Sequence, residues 1–319
     1  MKTSGPANTR EKQSPSDLLE LMPTDSRHHF PNSKTTPTTL KSHVRKRFGQ
    51  HFLEPAWVAK LLECIQPAAT ELFLEVGPGA GELTLPIAAT GARVIGVEVD
   101  RQLAHNLRRL VPPSVRVVTG DILRQDLPRL IAESDPRSFT RVVGNLPYNL
   151  STPILRRLFE IQHTHLCFRD ATLMLQREVA DRLTGVPGSP AYGPLAVMTR
   201  VMADAQVVLS LPPGAFRPPP AVRSAVVTLS FRPSPVTIEN LPFFERLIRS
   251  LFTQRRKTVL NALRPFAETI SPLPAQELLN QAGIDPGRRP GTLDLIDFAR
   301  LAAILSDRDG KGSLSSGGN

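Results

Sequence analysis

The 319-residue chain has little cysteine and no obvious set of metal ligands. Its two cysteines, Cys64 and Cys167, lie far apart in sequence, which excludes a disulfide framework and fits a reducing compartment. His163 and His165 form a pair with no third ligand near them, and two ligands do not make a protein metal site. We therefore expect neither disulfides nor a bound metal.

Long apolar runs are also missing. No stretch approaches the roughly 20 apolar residues that a membrane-spanning helix requires, so the sequence predicts no membrane association. The N-terminus lacks the apolar core of a secretory signal. A mitochondrial transit peptide is disfavoured because Glu11, Asp17, Glu20 and Asp25 interrupt this stretch. We expect a cytoplasmic location.

Positive charge is plentiful. The formal net charge is +10, and hydrophobic residues make up 40% of the chain, which is enough for a sizeable core. A basic surface attracts polyanions, of which nucleic acid is the commonest. Charge alone does not distinguish a nucleic-acid-binding protein from one that is merely basic, so a specific site has to decide.

Periodicity divides the chain into four parts. Residues 1–40 are rich in Ser, Thr, Pro and charge, which predicts a disordered tail. Residues 41–232 carry alternating strand and helix patterns, and residues 233–305 carry helical patterns without a strand between them. Residues 306–319 are rich in Gly and Ser and predict a second disordered tail.

The predicted elements indicate an α/β fold. Short apolar runs bounded by Gly, Pro or Asp predict buried strands at Leu72–Val76, Arg93–Val99, Val115–Thr119, Arg141–Asn145, Ala171–Leu175, Val207–Leu209 and Ala225–Phe231. Helical patterns cover Glu82–Ala89, Arg101–Leu110, Glu178–Leu183, Phe243–Phe252, Thr258–Leu263, Ala275–Ala282 and Leu293–Ile304. This alternation predicts a mostly parallel sheet covered on both faces. The last two strands lack room for a crossover helix, so we expect one of them to be antiparallel.

A glycine loop follows the first of these strands. In the segment from Glu75 to Gly81, Gly77 and Gly79 let the backbone turn tightly and approach a ligand. Glu98 ends the next strand, where its carboxylate can accept hydrogen bonds from ribose hydroxyls. The loop fits NAD or S-adenosylmethionine, but its G-x-G-x-G spacing favours S-adenosylmethionine. Asp121 is a candidate acceptor for the cofactor's adenine amino group, although Gly-Asp is also a common turn.

A second motif predicts the chemistry. Asn145, Leu146, Pro147 and Tyr148 end the fourth strand, at the sheet edge where ligands bind. The Asn145 side chain and the Leu146 carbonyl can accept the two N–H bonds of an adenine N6, while Pro147 fixes the turn and Tyr148 offers a stacking face. Alone, the motif also fits an ordinary Asn-x-Pro turn. Phe216 is a candidate second stacking wall, with a buried core residue as the alternative.

Taken together, the motifs resemble those of the ribosomal RNA adenine dimethyltransferase family, most closely its bacterial small-subunit (16S) members. The similarity covers roughly residues 44–304 and rests on Phe48–Leu53, Glu75–Gly79, Gly144–Asn149, Leu175–Val179, Phe216–Val227 and Arg255–Thr258. It implies a Rossmann-like class I methyltransferase domain followed by a small helical domain. It also implies N6,N6-dimethylation of two adjacent adenosines near the 3′ end of 16S rRNA, and cofactor contacts at His51 and Leu53.

Two basic clusters fit an RNA substrate. Arg45, Lys46 and Arg47 precede the first motif, and Arg255, Arg256 and Lys257 lie in the helical part, where each cluster can neutralise phosphates. A solvated charged face is the alternative for both. We expect the partner to be small-subunit rRNA within a pre-30S particle, and the protein to be a monomer because that substrate is large.

Three other functions fit part of the pattern. A large-subunit rRNA adenine methyltransferase shares the Asn-x-Pro-Tyr site, but the three prolines 218–220 and the segment from Arg255 to Thr258 favour the small subunit. A DNA adenine methyltransferase usually has Asp or Asn followed by Pro-Pro-Tyr and a target-recognition domain. A ribosome-assembly or transcription factor would not need the intact glycine loop, Glu98 and Asn145.

Overall fold

The computed structural model describes residues 52–135 and 139–312, with side chains up to residue 306. The predicted N-terminal tail lies outside the described residues, as do four predicted site residues: Arg45, Lys46, Arg47 and His51. Residues 313–319 of the predicted C-terminal tail lie outside them as well.

Strands occur where short apolar runs were predicted, and two further short strands accompany them. The strands are β1 (Phe52–Leu53), β2 (Leu72–Val76), β3 (Arg93–Glu98), β4 (Val115–Thr119), β5 (Thr140–Asn145), β6 (Phe168–Gln176), β7 (Ala203–Leu211), β8 (Phe216–Arg217) and β9 (Ser224–Phe231). The helices are α1 (Pro55–Ile65), α2 (Thr84–Ala89), α3 (Arg101–Arg108), α4 (Leu127–Ser134), α5 (Ser151–His165), α6 (Arg177–Leu183), α7 (Pro194–Met202), α8 (Leu241–Thr253), α9 (Val259–Ile270), α10 (Ala275–Gln281) and α11 (Leu295–Gly312).

The main sheet has seven strands in the order β4-β3-β2-β5-β6-β9-β7. The pairs from β4 to β6 are parallel, whereas β9 is antiparallel to both of its neighbours, β6 and β7. This confirms the predicted mostly parallel sheet with one antiparallel strand. The segment 212–223 that joins β7 to β9 contains a short 3-10 turn and β8 and no crossover helix, so β9 returns antiparallel to β7.

Four helices were not predicted from the sequence, namely α1, α4, α5 and α7. Proline lies in the first turn of α1, α4 and α7. A proline is favourable there because the first-turn N–H groups have no helical partner. α5 is the crossover that parallel pairing of β5 with β6 requires. Within the part of the chain that the structure describes, no helix is long and apolar enough to cross a membrane.

The C-terminal part consists of α8 to α11, with no strand between residues 232 and 312. Buried residues of these helices, such as Phe243, Leu263 and Phe298, belong to the same apolar cluster as residues of the sheet. The predicted domain boundary between residues 232 and 233 stays a prediction. The predicted tail at 306–319 begins too early, because α11 continues to Gly312. Adding residues to an existing helix costs little once the packed segment has formed its first turns.

Close packing at one residue positions the site. Gly144 lies opposite Val76 in the pairing of β5 with β2. A Cβ at Gly144 would lie 2.7 Å from the Val76 carbonyl oxygen, so only glycine allows this approach. The carboxyl ends of β2 and β5 therefore meet closely, and Asn145 lies beside the glycine loop that follows Val76.

Candidate active site

A cavity of about 400 Å³ opens at the carboxyl ends of β2, β3 and β5. This volume is within the range of small-molecule sites, about 300–1,000 Å³. The predicted site residues that line it are Leu53, Gly77, Glu98, Asn145, Leu146, Pro147 and Tyr148. The structure thus brings together the glycine loop, the acid that ends β3 and the Asn-Leu-Pro-Tyr turn.

The glycine loop is shaped to receive a ligand. Gly77 and Gly79 have φ angles of +68° and +57°, a backbone region that favours glycine. A Cβ built on Gly77 meets no atom within 4 Å, so the position of the missing side chain is open space beside the cavity. The Gly77 N–H donates to the Val97 carbonyl at 2.9 Å, which holds the loop against β3. These features fit a nucleoside cofactor approaching the backbone closely.

Glu98 ties this loop to the next helix. One carboxylate oxygen accepts from the Gly79 N–H and the other from the Asp100 N–H, each at 2.9 Å. The residue is only 3% exposed, which fixes the orientation of the carboxylate. A carboxylate oxygen can accept two hydrogen bonds, so both oxygens keep capacity for ribose hydroxyls. The predicted role of Glu98 is compatible with this geometry.

Two further glutamates line the cavity, and the sequence did not single them out as ligands. Glu75 accepts a hydrogen bond from the Thr84 hydroxyl at 2.5 Å, and Glu82 accepts one from the Leu53 N–H at 3.0 Å. The described lining residues include three glutamates and no Lys, Arg or His. Ionised carboxylates in such a lining favour a cationic ligand, and the sulfonium and ammonium groups of S-adenosylmethionine outnumber its one carboxylate.

The pKa of Glu75 is raised from 4.5 to about 7, mainly by burial; the Thr84 hydrogen bond lowers it, and the nearby Glu98 and Glu82 raise it. Between pH 4.5 and about 7, Glu75 keeps its proton in the folded protein but has lost it in the unfolded chain. The free energy of unfolding therefore falls as pH rises through this range.

We expect Glu75→Gln, which stays neutral, to gain stability over the wild type between pH 5 and 8. The gain is on the order of 3 kcal/mol. Urea unfolding without cofactor measures it, and a difference that does not change with pH would contradict it.

The Asn-Leu-Pro-Tyr turn is held at several points. The Leu146 N–H donates to the Met174 carbonyl at 3.1 Å, which extends the pairing of β5 with β6. The Pro147 carbonyl accepts from the Leu150 N–H at 2.9 Å and from the Ser151 hydroxyl at 3.1 Å. The Tyr148 hydroxyl lies 2.6 Å from the Ser224 hydroxyl at the start of β9. The turn is therefore fixed to the sheet and to the start of α5.

Three of the predicted cofactor-binding and catalytic residues that the structure describes do not line the cavity. Gly79 uses its N–H to bind Glu98, as described above. Asp121 accepts from the Leu123 N–H at 3.0 Å and so stabilises its own turn. Phe216 is 2% exposed and pairs through β8 with Leu53 of β1, so neither face is available for stacking in this conformation. The predicted ligand contacts of Asp121 and Phe216 stay predictions.

The basic cluster of the helical part divides into two kinds of residue. The Arg255 guanidinium donates to the Ser189 and Pro190 carbonyls, both at 2.7 Å, and so joins the residues after α8 to the loop before α7. These two bonds use only part of its five N–H donors, so its predicted phosphate contact stays a prediction. Arg256 and Lys257 are exposed.

The histidine pair lies at the end of α5. His163 and His165 are both in the last turn of that helix. Among residues 52–135 and 139–306, no group of three or more His, Cys, Asp or Glu side chains is arranged to hold a metal ion.

The sequence matches the family model of ribosomal RNA adenine dimethylases over residues 41–303. It is 40% identical to the ribosomal RNA small subunit methyltransferase A of Vibrio cholerae, over 83% of this chain and 95% of that protein. It is 38% identical to the protein of the same name from Acinetobacter baylyi, over 81% of this chain and 91% of that protein.

Solved structures show the same architecture. A dimethyladenosine transferase from Plasmodium falciparum superposes with a TM-score of 0.66 at 22% identity, covering 82% of this chain and 98% of that one. The 23S rRNA methyltransferase ErmE superposes with a TM-score of 0.58 at 25% identity, covering 80% of this chain and 99% of that one. With the cavity described above, these findings show that the chain belongs to the ribosomal RNA adenine dimethylase family and is an S-adenosylmethionine-dependent methyltransferase.

Proposed function

We propose that this protein dimethylates N6 of two adjacent adenosines near the 3′ end of 16S rRNA during ribosome biogenesis in the cytoplasm. The observation that carries the proposal is that Asn145, Leu146 and Tyr148 line the same cavity as Gly77 and Glu98. An adenine acceptor and a nucleoside cofactor would therefore meet in one enclosed space. The glutamate-rich lining suits a cationic methyl donor. The described lining residues include no basic side chain that could bind an RNA phosphate.

The cofactor supplies an electrophilic methyl group when it is bound. Gly77 and Glu98 would hold its nucleoside, with Glu98 accepting from the ribose hydroxyls. The Asn145 side-chain oxygen and the Leu146 carbonyl would each accept one N6–H of the adenine. These bonds draw the N6 lone pair out of conjugation with the ring and aim it at the methyl carbon. Catalysis would then rest on positioning and hydrogen bonding, because a methylated ammonium loses its proton to water without a strong base.

The target base must leave its helical stack to enter the cavity. Tyr148 is half-buried in the cavity lining and would stack on the extruded adenine. Stacking tolerates any base, so the two acceptors of Asn145 and Leu146 would add a requirement for an exocyclic amino group, which uracil lacks. This division of roles suits an enzyme that modifies an amino group of a base.

The comparisons favour the small subunit over the large one as the source of the adenine. Relatives that are 38–40% identical, over 95–96% of their own length, carry the name ribosomal RNA small subunit methyltransferase A. The 23S rRNA methyltransferase ErmE is 25% identical. A large-subunit target is the second candidate, since the Asn-x-Pro-Tyr site serves both.

Contacts beyond the flipped base would position a folded rRNA. Arg256 and Lys257 are exposed in the helical part and would contact phosphates. Arg255 would contribute the N–H donors that its two backbone carbonyls leave. We propose that Arg45, Lys46 and Arg47 also contact RNA phosphates. The proposed partner is a pre-30S particle, which a monomer of this protein would bind.

Mass spectrometry of rRNA from cells that lack this protein tests the proposal. We expect N6,N6-dimethyladenosine to disappear from 16S rRNA and to return when the wild-type gene is supplied. The Asn145→Ala gene is the matched control and should not restore it. Loss of a methylated adenine from 23S rRNA instead would support the second candidate, and unchanged modification of both rRNAs would contradict both.

A further inference from the structure

Two distant motifs meet at one hydrogen bond. The Tyr148 hydroxyl of the Asn-Leu-Pro-Tyr turn lies 2.6 Å from the Ser224 hydroxyl, 76 residues further along the chain. Either hydroxyl can donate. Burial raises the pKa of Tyr148 above its ordinary value of 10, against a lowering by the Ser224 hydrogen bond, so the phenol keeps its proton at neutral pH. The bond therefore persists over the whole physiological pH range.

Ser224 is a rigid anchor for this bond. It is 1% exposed and is the first residue of β9. Its register partners are Gln176 on β6 and Leu211 on β7, so strands on both sides fix its backbone. Tyr148, in contrast, lies in a turn and is only half-buried. The hydrogen bond therefore attaches a side chain of the cavity lining to the first residue of β9, which is paired on both sides.

The two methyl transfers place different demands on the acceptors. In each transfer the N6 lone pair forms a bond to the methyl carbon as the carbon–sulfur bond breaks, and N6 then loses one proton to water. Before the first transfer N6 has two hydrogens, one for Asn145 and one for Leu146. Before the second transfer it has one hydrogen and a methyl group. One of the two hydrogen bonds that position N6 is therefore lost between the transfers.

We propose that Ser224 is a positioning residue that fixes the Tyr148 ring and so supports the second methyl transfer more than the first. This inference rests on the proposed function. When hydrogen bonding to N6 is halved, the adenine depends more on the face against which it stacks. A ring held at its hydroxyl keeps the base in place, whereas a ring free to rotate lets N6 drift from the line of attack.

Two single variants and their combination test this inference. Tyr148→Phe keeps the ring and Ser224→Ala keeps the strand, but each removes the hydrogen bond. The substrate is small-subunit particles from cells that lack the protein. We expect the second transfer to slow by about 10-fold and the first by less than about 3-fold, so that N6-monomethyladenosine accumulates. The double variant should behave like either single one, because both remove the same bond. Cofactor affinity, measured by calorimetry, should stay unchanged.

The chain offers a matched control in its other tyrosine. The Tyr192 hydroxyl donates to the Leu293 carbonyl at 2.9 Å in the core, and Tyr192 does not line the catalytic cavity. Tyr192→Phe also removes one tyrosine hydrogen bond, and it should lower the melting temperature without changing the ratio of monomethylated to dimethylated product. Ser224→Thr keeps a hydroxyl and should restore the wild-type ratio. If Ser224→Ala does not fold, Tyr148→Phe decides the question by itself.

The possible failures can be told apart. If the wild type dimethylates adenine and both variants slow the two transfers equally, the role of Ser224 is wrong and the proposed function stands. Additive effects of the two substitutions would likewise overturn it. If the wild type methylates no adenine N6, the proposed function fails, and the role of Ser224 fails with it.

Discussion

Asn145→Ala is expected to reduce kcat for methyl transfer by about 100- to 1,000-fold, as loss of one preorganised hydrogen-bonding group does in other active sites. The substitution removes the side-chain acceptor at the end of β5, beside the glycine loop. The Leu146 carbonyl belongs to the backbone and remains, so one of the two proposed acceptors is lost. Single-turnover methylation of unmodified small-subunit particles measures the effect.

Binding separates this catalytic loss from misfolding. Asn145 lies in the cavity and outside the proposed phosphate contacts, so the variant should bind the particles with nearly unchanged affinity. Its melting temperature should also stay close to the wild-type value, because Asn145 is only partly buried. A variant that folds, binds and methylates at the wild-type rate would show that the mechanism is wrong.

Glu98→Ala is expected to weaken S-adenosylmethionine binding by roughly 100-fold or more. Two hydrogen bonds from ribose hydroxyls to a carboxylate would be lost, and bonds to a charged group contribute about 1.5–3 kcal/mol each. The Gly79 and Asp100 N–H groups would also lose their acceptor, which loosens the glycine loop. Isothermal titration calorimetry gives the dissociation constant directly.

Glu98→Gln gives a gentler version of the same test. The glutamine amide keeps one acceptor oxygen. Its NH₂ group would face one of the two backbone N–H groups that now donate to the Glu98 carboxylate. Its affinity should therefore lie between those of the wild type and Glu98→Ala. An unchanged dissociation constant in Glu98→Ala would count against the assignment of Glu98 to the ribose.

The family could be predicted from the sequence because its motifs are local. The glycine loop, the acid at the end of β3 and the Asn-Leu-Pro-Tyr turn each depend on neighbouring residues that a strand and the following loop place in a fixed relation. The match to the family model confirms this prediction. The limits of β2 to β5 and β9 were predicted to within one residue, since short apolar runs between Gly and Pro mark buried strands, whereas β6 and β7 extend several residues further than predicted.

Other features depended on residues far apart in the chain. Nothing local distinguished Arg255, which the fold assigns to two carbonyls before α7, from Arg256 and Lys257, which remain exposed. No local pattern marked Glu75 and Glu82 as site residues, but the fold places both in the cavity lining with Glu98. α11 also continues past residue 306 to Gly312, although the local Gly and Ser content predicted a tail there.

The sequence by itself determined the chemistry of the methyl-transfer site, because residue type and spacing specify hydrogen-bonding capacity and backbone freedom. Only the tertiary structure decided which side chains meet. It paired Tyr148 with Ser224, gave Glu98 two backbone partners and buried Phe216 opposite Leu53. The physical reason is that burial and hydrogen-bond partners arise from strand order and packing, which bring together residues that no local pattern connects.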